Sequence, residues 1–153
     1  MSKLDLNEIP IQRTSNYPSP FNRELGERIR QRLGDAGGLT QFGVNLNQLQ
    51  PGAWSAQRHW HSAEDEFVYI ISGEVVLVTD SGEQVMRTGD CAAFPANAPN
   101  GHQLINRSES VAVCLEVGSR VADDRVVYPD IDLVFEPKID SYAHNDGTPY
   151  PPK

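Results

Sequence analysis

Cysteine is nearly absent from this chain. Cys91 and Cys114 are the two in 153 residues, and both fall inside strand-like runs. They are expected to be free buried thiols, which excludes a disulfide-stapled scaffold. Long apolar runs are also missing. No stretch approaches the roughly 18 residues of a membrane span, so no membrane partner is expected. The opening MSKLDLNEIP lacks the apolar centre of an export signal, and a cytoplasmic location is the expectation. Positive charge is scarce: 13 Lys and Arg stand against 21 Asp and Glu, a net charge of −8. An acidic chain of this kind is a poor partner for a phosphate backbone, which argues against nucleic acid. No internal repeat and no helix-turn-helix pattern is present.

What remains is a chain of one-domain length, long enough to bury a core without staples. Residues 1–38 read as a polar arm carrying a short helix over 21–33. The arm holds Pro10, Pro18 and Pro20, shows no apolar period, and is expected to lie extended along a neighbour or a sheet edge. In the helix, Phe21, Leu25, Ile29 and Leu33 recur every four residues as one apolar stripe. Glu24 and Glu27 come early, and Arg28, Arg30 and Arg32 come late, which suits the helix dipole. Glu24 and Arg28 stand at a favourable i, i+4 spacing, and Gly34 is a plausible stop. The arginines read as a solvated helix face.

From residue 39 the pattern is β. Runs at 39–49, 55–61, 66–71, 74–79, 83–87, 91–94, 102–106, 111–117 and 125–128 are separated by Gly, Asp and Pro turns, such as Gln50-Pro51-Gly52 and Asp80-Ser81-Gly82. Many short strands at even spacing predict an all-β antiparallel sandwich or barrel over 39–128. Residues 129–153 are expected to form a Pro-rich surface strap. His144, within it, has no partner at ligand spacing and is read as a surface residue.

One stretch, GAWSAQRHWHSAEDEFVYIISG at 52–73, carries the chemistry. His59 and His61 have period-two spacing, so in a strand both imidazoles face one side. Glu66 follows and opens a strongly β-prone run. A hairpin-like return would set its carboxylate beside the imidazoles, a donor set suited to a divalent transition metal. Strand parity places Gln57, Ser55, Val68 and Ile70 on the inward side. Trp60, Phe67, Tyr69 and Ile71 then face outward, and Arg58 faces away from the site. Trp54 stands near the rim. Further on, His102, Leu104 and Asn106 share a face. If that face is the interior, a third imidazole enters the site.

These residues resemble the two motifs of a single-domain cupin. Gly52, His59, His61, Glu66 and Gly73 fill the first motif, with one extra residue after Gly52. Gly89, Pro95, His102 and Asn106 fill the second, with two extra residues before the histidine. The insertion leaves Asn100 where the ligand would stand by count, whereas His102 keeps the spacing to Asn106. Asn97 replaces the usual glycine, and asparagine tolerates the left-handed turn that glycine would supply. The resemblance spans about residues 39–118.

It implies a double-stranded β-helix, the jelly-roll barrel of the cupins. It also implies one divalent ion (Fe, Mn, Ni, Co, Zn or Cu) bound by His59, His61, Glu66 and His102. An octahedral ion so held keeps two positions for water or substrate. The expected activity is that of a metal-dependent enzyme on a small organic substrate, of dioxygenase type or of isomerase and epimerase type. The alternative is a non-catalytic module that binds or senses a small molecule through the same metal. No lysine or arginine is placed by the sequence to hold a phosphate. Family habit and strands apolar on both faces suggest a homodimer.

Overall fold

A computed structural model describes residues 3–22 and 25–151. The alternating runs become β2 (Phe42–Leu49), β3 (Trp60–His61), β4 (Glu66–Ser72), β5 (Glu74–Thr79), β6 (Gly82–Arg87), β7 (Cys91–Phe94), β8 (Gln103–Ile105), β9 (Ala112–Ser119) and β10 (Val126–Tyr128). They are preceded by β1 (Arg28–Arg32) and followed by β11 (Leu133–Glu136) and β12 (Ser141–Ala143). The sheets run β1-β2-β9-β4-β7, β12-β11-β10-β3 and β6-β5-β8, and every pairing is antiparallel. This is the expected jelly-roll barrel.

The helix expected over 21–33 does not form. Residues 28–32 are β1, and one helical turn, α1 (Leu33–Ala36), follows. Backbone pairing overrides the four-residue apolar spacing. β1 lies on β2 with Arg28 opposite Leu49 and Arg32 opposite Asn45. The arm then closes on the free edge of β1, where Gln12 and Arg30 exchange two backbone hydrogen bonds of 2.9 Å. The arm therefore lies along a sheet edge, as expected. The Glu24–Arg28 pair includes a residue outside those described.

The C-terminal strap is also more structured than its prolines suggested. β11 and β12 extend the sheet begun by β3 and β10, and Leu133 and Val134 are buried. His144 shares a hydrogen bond with Asp132 (2.7 Å) and stacks on Tyr150 at 3.9 Å.

Strand parity sorts the main sheet cleanly. Val68 and Ile70 of β4 point into the barrel beside Leu49, Leu77 and Cys114, while Phe67, Tyr69 and Ile71 are exposed on the other face. Burial pushes the Cys114 thiol up to about 12. Cys91 departs from the expectation: it is exposed, because its register opposite Tyr69 puts it on the outer face. A second cluster, built on Tyr17, Leu25, Val126, Tyr128 and Leu133, joins arm and strap to the barrel, and Trp54 packs against it.

Two motif residues work on the frame. Asn106 is fully buried. Its amide donates to the Leu49 and Ser110 carbonyls, and its Oδ1 accepts from Ser108. Gly73 has φ +81° and follows a register shift in the β4–β9 pairing. A Cβ there would lie 2.8 Å from both Ala112 Cα and Val111 O. Gly52 has nearly the same φ, +82°, but open space around it. Gly52→Ala should therefore cost only the left-handed backbone penalty, about 1–2 kcal/mol. Gly73→Ala should cost more, about 3 kcal/mol or beyond, because backbone must move. Urea unfolding midpoints of the two variants test the difference, and equal losses would contradict the packing account.

Candidate metal centre

The barrel mouth gathers the residues that the sequence singled out. Glu66 opens β4, paired with Phe94 of β7 and Gly118 of β9. His59 and His102 face each other across an isolated bridge, exchanging backbone hydrogen bonds of 3.1 and 2.8 Å. His61 lies on β3, opposite Val126. Two segments far apart in the chain, 59–61 and 102, thus aim three imidazoles at one carboxylate. The Nε2 atoms of His59, His61 and His102 stand 3.6, 3.5 and 3.1 Å from the same oxygen, Glu66 Oε2. For His59, His61 and Glu66, the ligand atoms all lie within 4.8 Å of one another. His102 stands outside that tighter set. It is reached through Glu66 and through the His59 ring, whose centroid is 4.6 Å away.

The outer ring nitrogens show how two of the imidazoles are held. His59 Nδ1 lies 2.7 Å from the Gln57 carbonyl, so it must donate. His61 Nδ1 lies 2.6 Å from Asp124 Oδ2. Both contacts engage Nδ1 and turn Nε2 toward Glu66, the nitrogen that would meet a metal ion. His102 Nδ1 is buried without a hydrogen-bond partner among the described residues. Its ring is fixed instead by stacking on Phe94, with centroids 3.6 Å apart and planes 2° from parallel. Asn100 is engaged elsewhere: its side chain accepts from the Asp80 backbone, 2.9 Å away. Asn97 has φ 57°, the left-handed geometry expected of it.

Burial governs the ionisation of the cluster. It would raise Glu66, but the bonds from His102, His59 and His61 hold that carboxyl well below its usual range. Burial would also lower His61. Its hydrogen bonds to Glu66 and Asp124 outweigh this and push it up to about 9. His102 stays below its ordinary value because burial dominates there. Three imidazole nitrogens and one anionic oxygen, already converged and with two rings oriented from behind, fit a divalent transition ion.

Sequence reading missed two parts of this site. The first is Asp124, which is buried and also accepts the backbone amides of Ala63 and Glu64 at 2.8 and 3.2 Å. It lies 63 residues after His61, in a loop, and no local spacing marks it. The second is the arginine series. Arg28, Arg30 and Arg32 do not form a solvated helix face. They line a cavity of about 280 Å³ together with His59, His61 and Glu66. Their period-two spacing was the available signal. Arg30 donates to Asn47 Oδ1 (2.8 Å) and Glu116 Oε2 (3.1 Å). Arg58, expected to face away, does so: it bonds Asp130, Asp80 and the Gly101 carbonyl.

Among the described residues, no helix is long and apolar enough to cross a membrane. The Cupin domain pattern matches residues 45–118. No curated protein matches the chain. Among solved structures, a sugar phosphate isomerase from a cupin superfamily, from Silicibacter pomeroyi, is 46% identical. The match covers 98% of this chain and 97% of that one, with a TM-score of 0.92. A protein from Acidithiobacillus ferrooxidans, designated a candidate sugar phosphate isomerase, is 32% identical over 80% of this chain and 77% of its own, with a TM-score of 0.73. A predicted oxalate decarboxylase from Thermotoga maritima is 22% identical over 78% of this chain and all of its own. Its TM-score of 0.64 is a likeness of fold. With the barrel, both motifs and a relative matched over nearly its full length, the chain belongs to the cupin superfamily.

Proposed function

We propose that this protein is a metal-dependent enzyme of isomerase type acting on a small phosphorylated polyol or sugar. The observation that carries this reading is the convergence of three imidazole Nε2 atoms on Glu66 Oε2 within an arginine-lined cavity. The relatives that are 46% and 32% identical support it by their designations. The dioxygenase-type alternative has no comparable support from the arginine wall.

In this reading His59, His61, Glu66 and His102 hold one divalent ion. When bound, the ion supplies Lewis-acid polarisation of a substrate oxygen. The chain's own residues do the rest. Gln57 O and Asp124 fix the tautomers of two ligands. Tyr17, Tyr128 and Tyr142 line the cavity. Burial pushes all three phenols above their ordinary value, so they stay neutral hydrogen-bond donors at working pH. The cavity volume suits a molecule of a few carbons.

The outer face of the main sheet supports a homodimer. Phe42, Phe67, Tyr69 and Ile71 are each about two-fifths exposed there, beside half-buried Leu115 and Val117. These positions carry no charge in a chain of net −8, so this is where two like-charged copies can meet. An isologous pairing would bury the same patch on both.

Three outcomes are expected. His61→Ala should lose most bound metal in elemental analysis while keeping its far-ultraviolet circular dichroism; unchanged metal content would refute the ligand assignment. Asp124→Asn should weaken metal affinity by about 10–100-fold in chelator competition, because the ring loses its orienting carboxylate. Phe67→Asp should convert a dimer to a monomer in sedimentation velocity with metal content intact, and a wild-type monomer would refute the pairing.

The His61 shift adds a pH signature. Its folded value lies above its ordinary 6.5, so the protonated ring stabilises the metal-free protein below 6.5, and that stabilisation is lost as pH rises toward about 9. Metal binding needs the unprotonated ring and has the opposite dependence. Thermal scans should show the metal-free form weakening across this window while the increment gained from added zinc grows. A metal increment that is flat with pH would contradict proton–metal competition at His61.

A further inference from the structure

The three arginines of β1 are not equally compensated. Arg32 is half exposed and pairs with Asp35 at 3.6 Å. Arg30 is largely buried and pairs with Glu116 at 3.1 Å. Arg28 is the most deeply buried, 6% exposed, and has no carboxylate partner among the described residues. One of its terminal nitrogens donates to the Ser55 carbonyl at 2.5 Å, and its Nε is buried with no hydrogen-bond partner. An unpaired buried cation is costly to a fold unless something anionic completes it.

The surroundings indicate what would complete it. Arg28 lines the same cavity as His59, His61 and Glu66. It also lines a second cavity of about 510 Å³ under the arm and the C-terminal residues, and Thr14 borders both. Three arginines against two glutamates, Glu66 and Glu116, leave the metal-side cavity net positive, although the whole chain carries −8. A confined positive wall in an acidic protein concentrates small anions there. Thr14, Asn16 and Tyr142 add neutral polar groups to that wall. A tetrahedral oxyanion with three free oxygens can use a guanidinium and several such donors together, whereas a carboxylate offers only two oxygens.

We propose that Arg28 is the seat of the substrate's phosphoryl group, the specificity-determining residue of the site, with Thr14, Asn16 and Tyr142 as its polar surround. The inference rests on the metal-site reading for where the rest of the substrate lies. The anion seat itself is made by the arm and β1, so it stands whether or not metal is bound.

Inorganic phosphate is the probe. Calorimetric titration should show phosphate binding to the metal-loaded protein and, with similar affinity, to protein stripped by chelator. Arg28→Gln should weaken it by about tenfold or more, as expected on removing a charge-assisted bond, with bound metal unchanged. Arg28→Lys should fall between. In nitrogen-labelled wild-type protein, the Arg28 Nε–H resonance should shift on adding phosphate, a readout that holds even if both variants fold poorly. Binding that vanishes with the metal would place the anion on the ion and overturn the proposal. Binding indifferent to Arg28→Gln, or acetate binding as tightly as phosphate, would overturn it too. A protein that binds phosphate through Arg28 but holds no metal would sink the metal-site reading and leave the anion seat standing.

Discussion

A single buried oxygen, Glu66 Oε2, organises the molecule. A carboxylate out of water must be paired, and here three imidazoles surround it. Their positions are not independent of the fold. His59 and His102 are held by the backbone bonds they exchange with each other. His61 is held by the pairing of β3 with β10, and Glu66 by the pairings of β4 with both β7 and β9. The hydrogen bonds that close the barrel mouth are therefore the bonds that set the geometry of the four side chains. Rigid elements position such a site more closely than loops could. The rings also bridge the two apolar clusters: His102 stacks on Phe94, which packs against the barrel core, and His59 sits 5.7 Å from Tyr128 of the aromatic cluster.

The two ends of the chain build what the barrel lacks. The barrel strands supply the donors, but much of the cavity wall comes from the arm, β1 and β12. Tyr17 meets Tyr128 edge-on at 5.5 Å and Tyr142 at 5.6 Å, so arm, barrel and strap lock through aromatic contacts. The Tyr17 hydroxyl accepts the Gln57 amide at 3.3 Å, tying the arm to the segment that presents His59. The imidazole–carboxylate cluster and much of the cavity wall around it thus come from different parts of one chain.

What the sequence made legible follows from the same physics. The period-two rule located His59 and His61 on one face and separated Val68 and Ile70 from Phe67, Tyr69 and Ile71, while the family motif gave the turn geometry of Asn97. Those readings held because each face of a barrel strand has one environment. The misread helix is a short segment whose pairing partners are distant in sequence. RIRQR at 28–32 fits a four-residue apolar period when joined to Phe21 and Leu25, and a two-residue arginine period taken alone. Nothing local decides between them. The decision is made by β2 on one side and Gln12 on the other. β11 was hidden by the Pro137 that ends it, and β12 by its length of three residues. Asp124 had no pattern at all, because a residue that orients the His61 ring needs only to be near it in space.

Net charge is the last place where whole-chain reading and local structure part. A total of −8 argues against a polyanionic partner, yet the same protein encloses a positive pocket. The two are compatible because a field inside a low-dielectric cleft is set by the groups that line it, while distant surface carboxylates are screened. Along β1 the compensation thins from Arg32 to Arg28, from an exposed pair, through a buried pair, to none among the described residues. A fold that needed these cations for stability alone would have paired the innermost one first, since its desolvation is the costliest. That reversed order, on a strand that lines the cavity with His59, His61 and Glu66, is the observation behind the proposed anion seat.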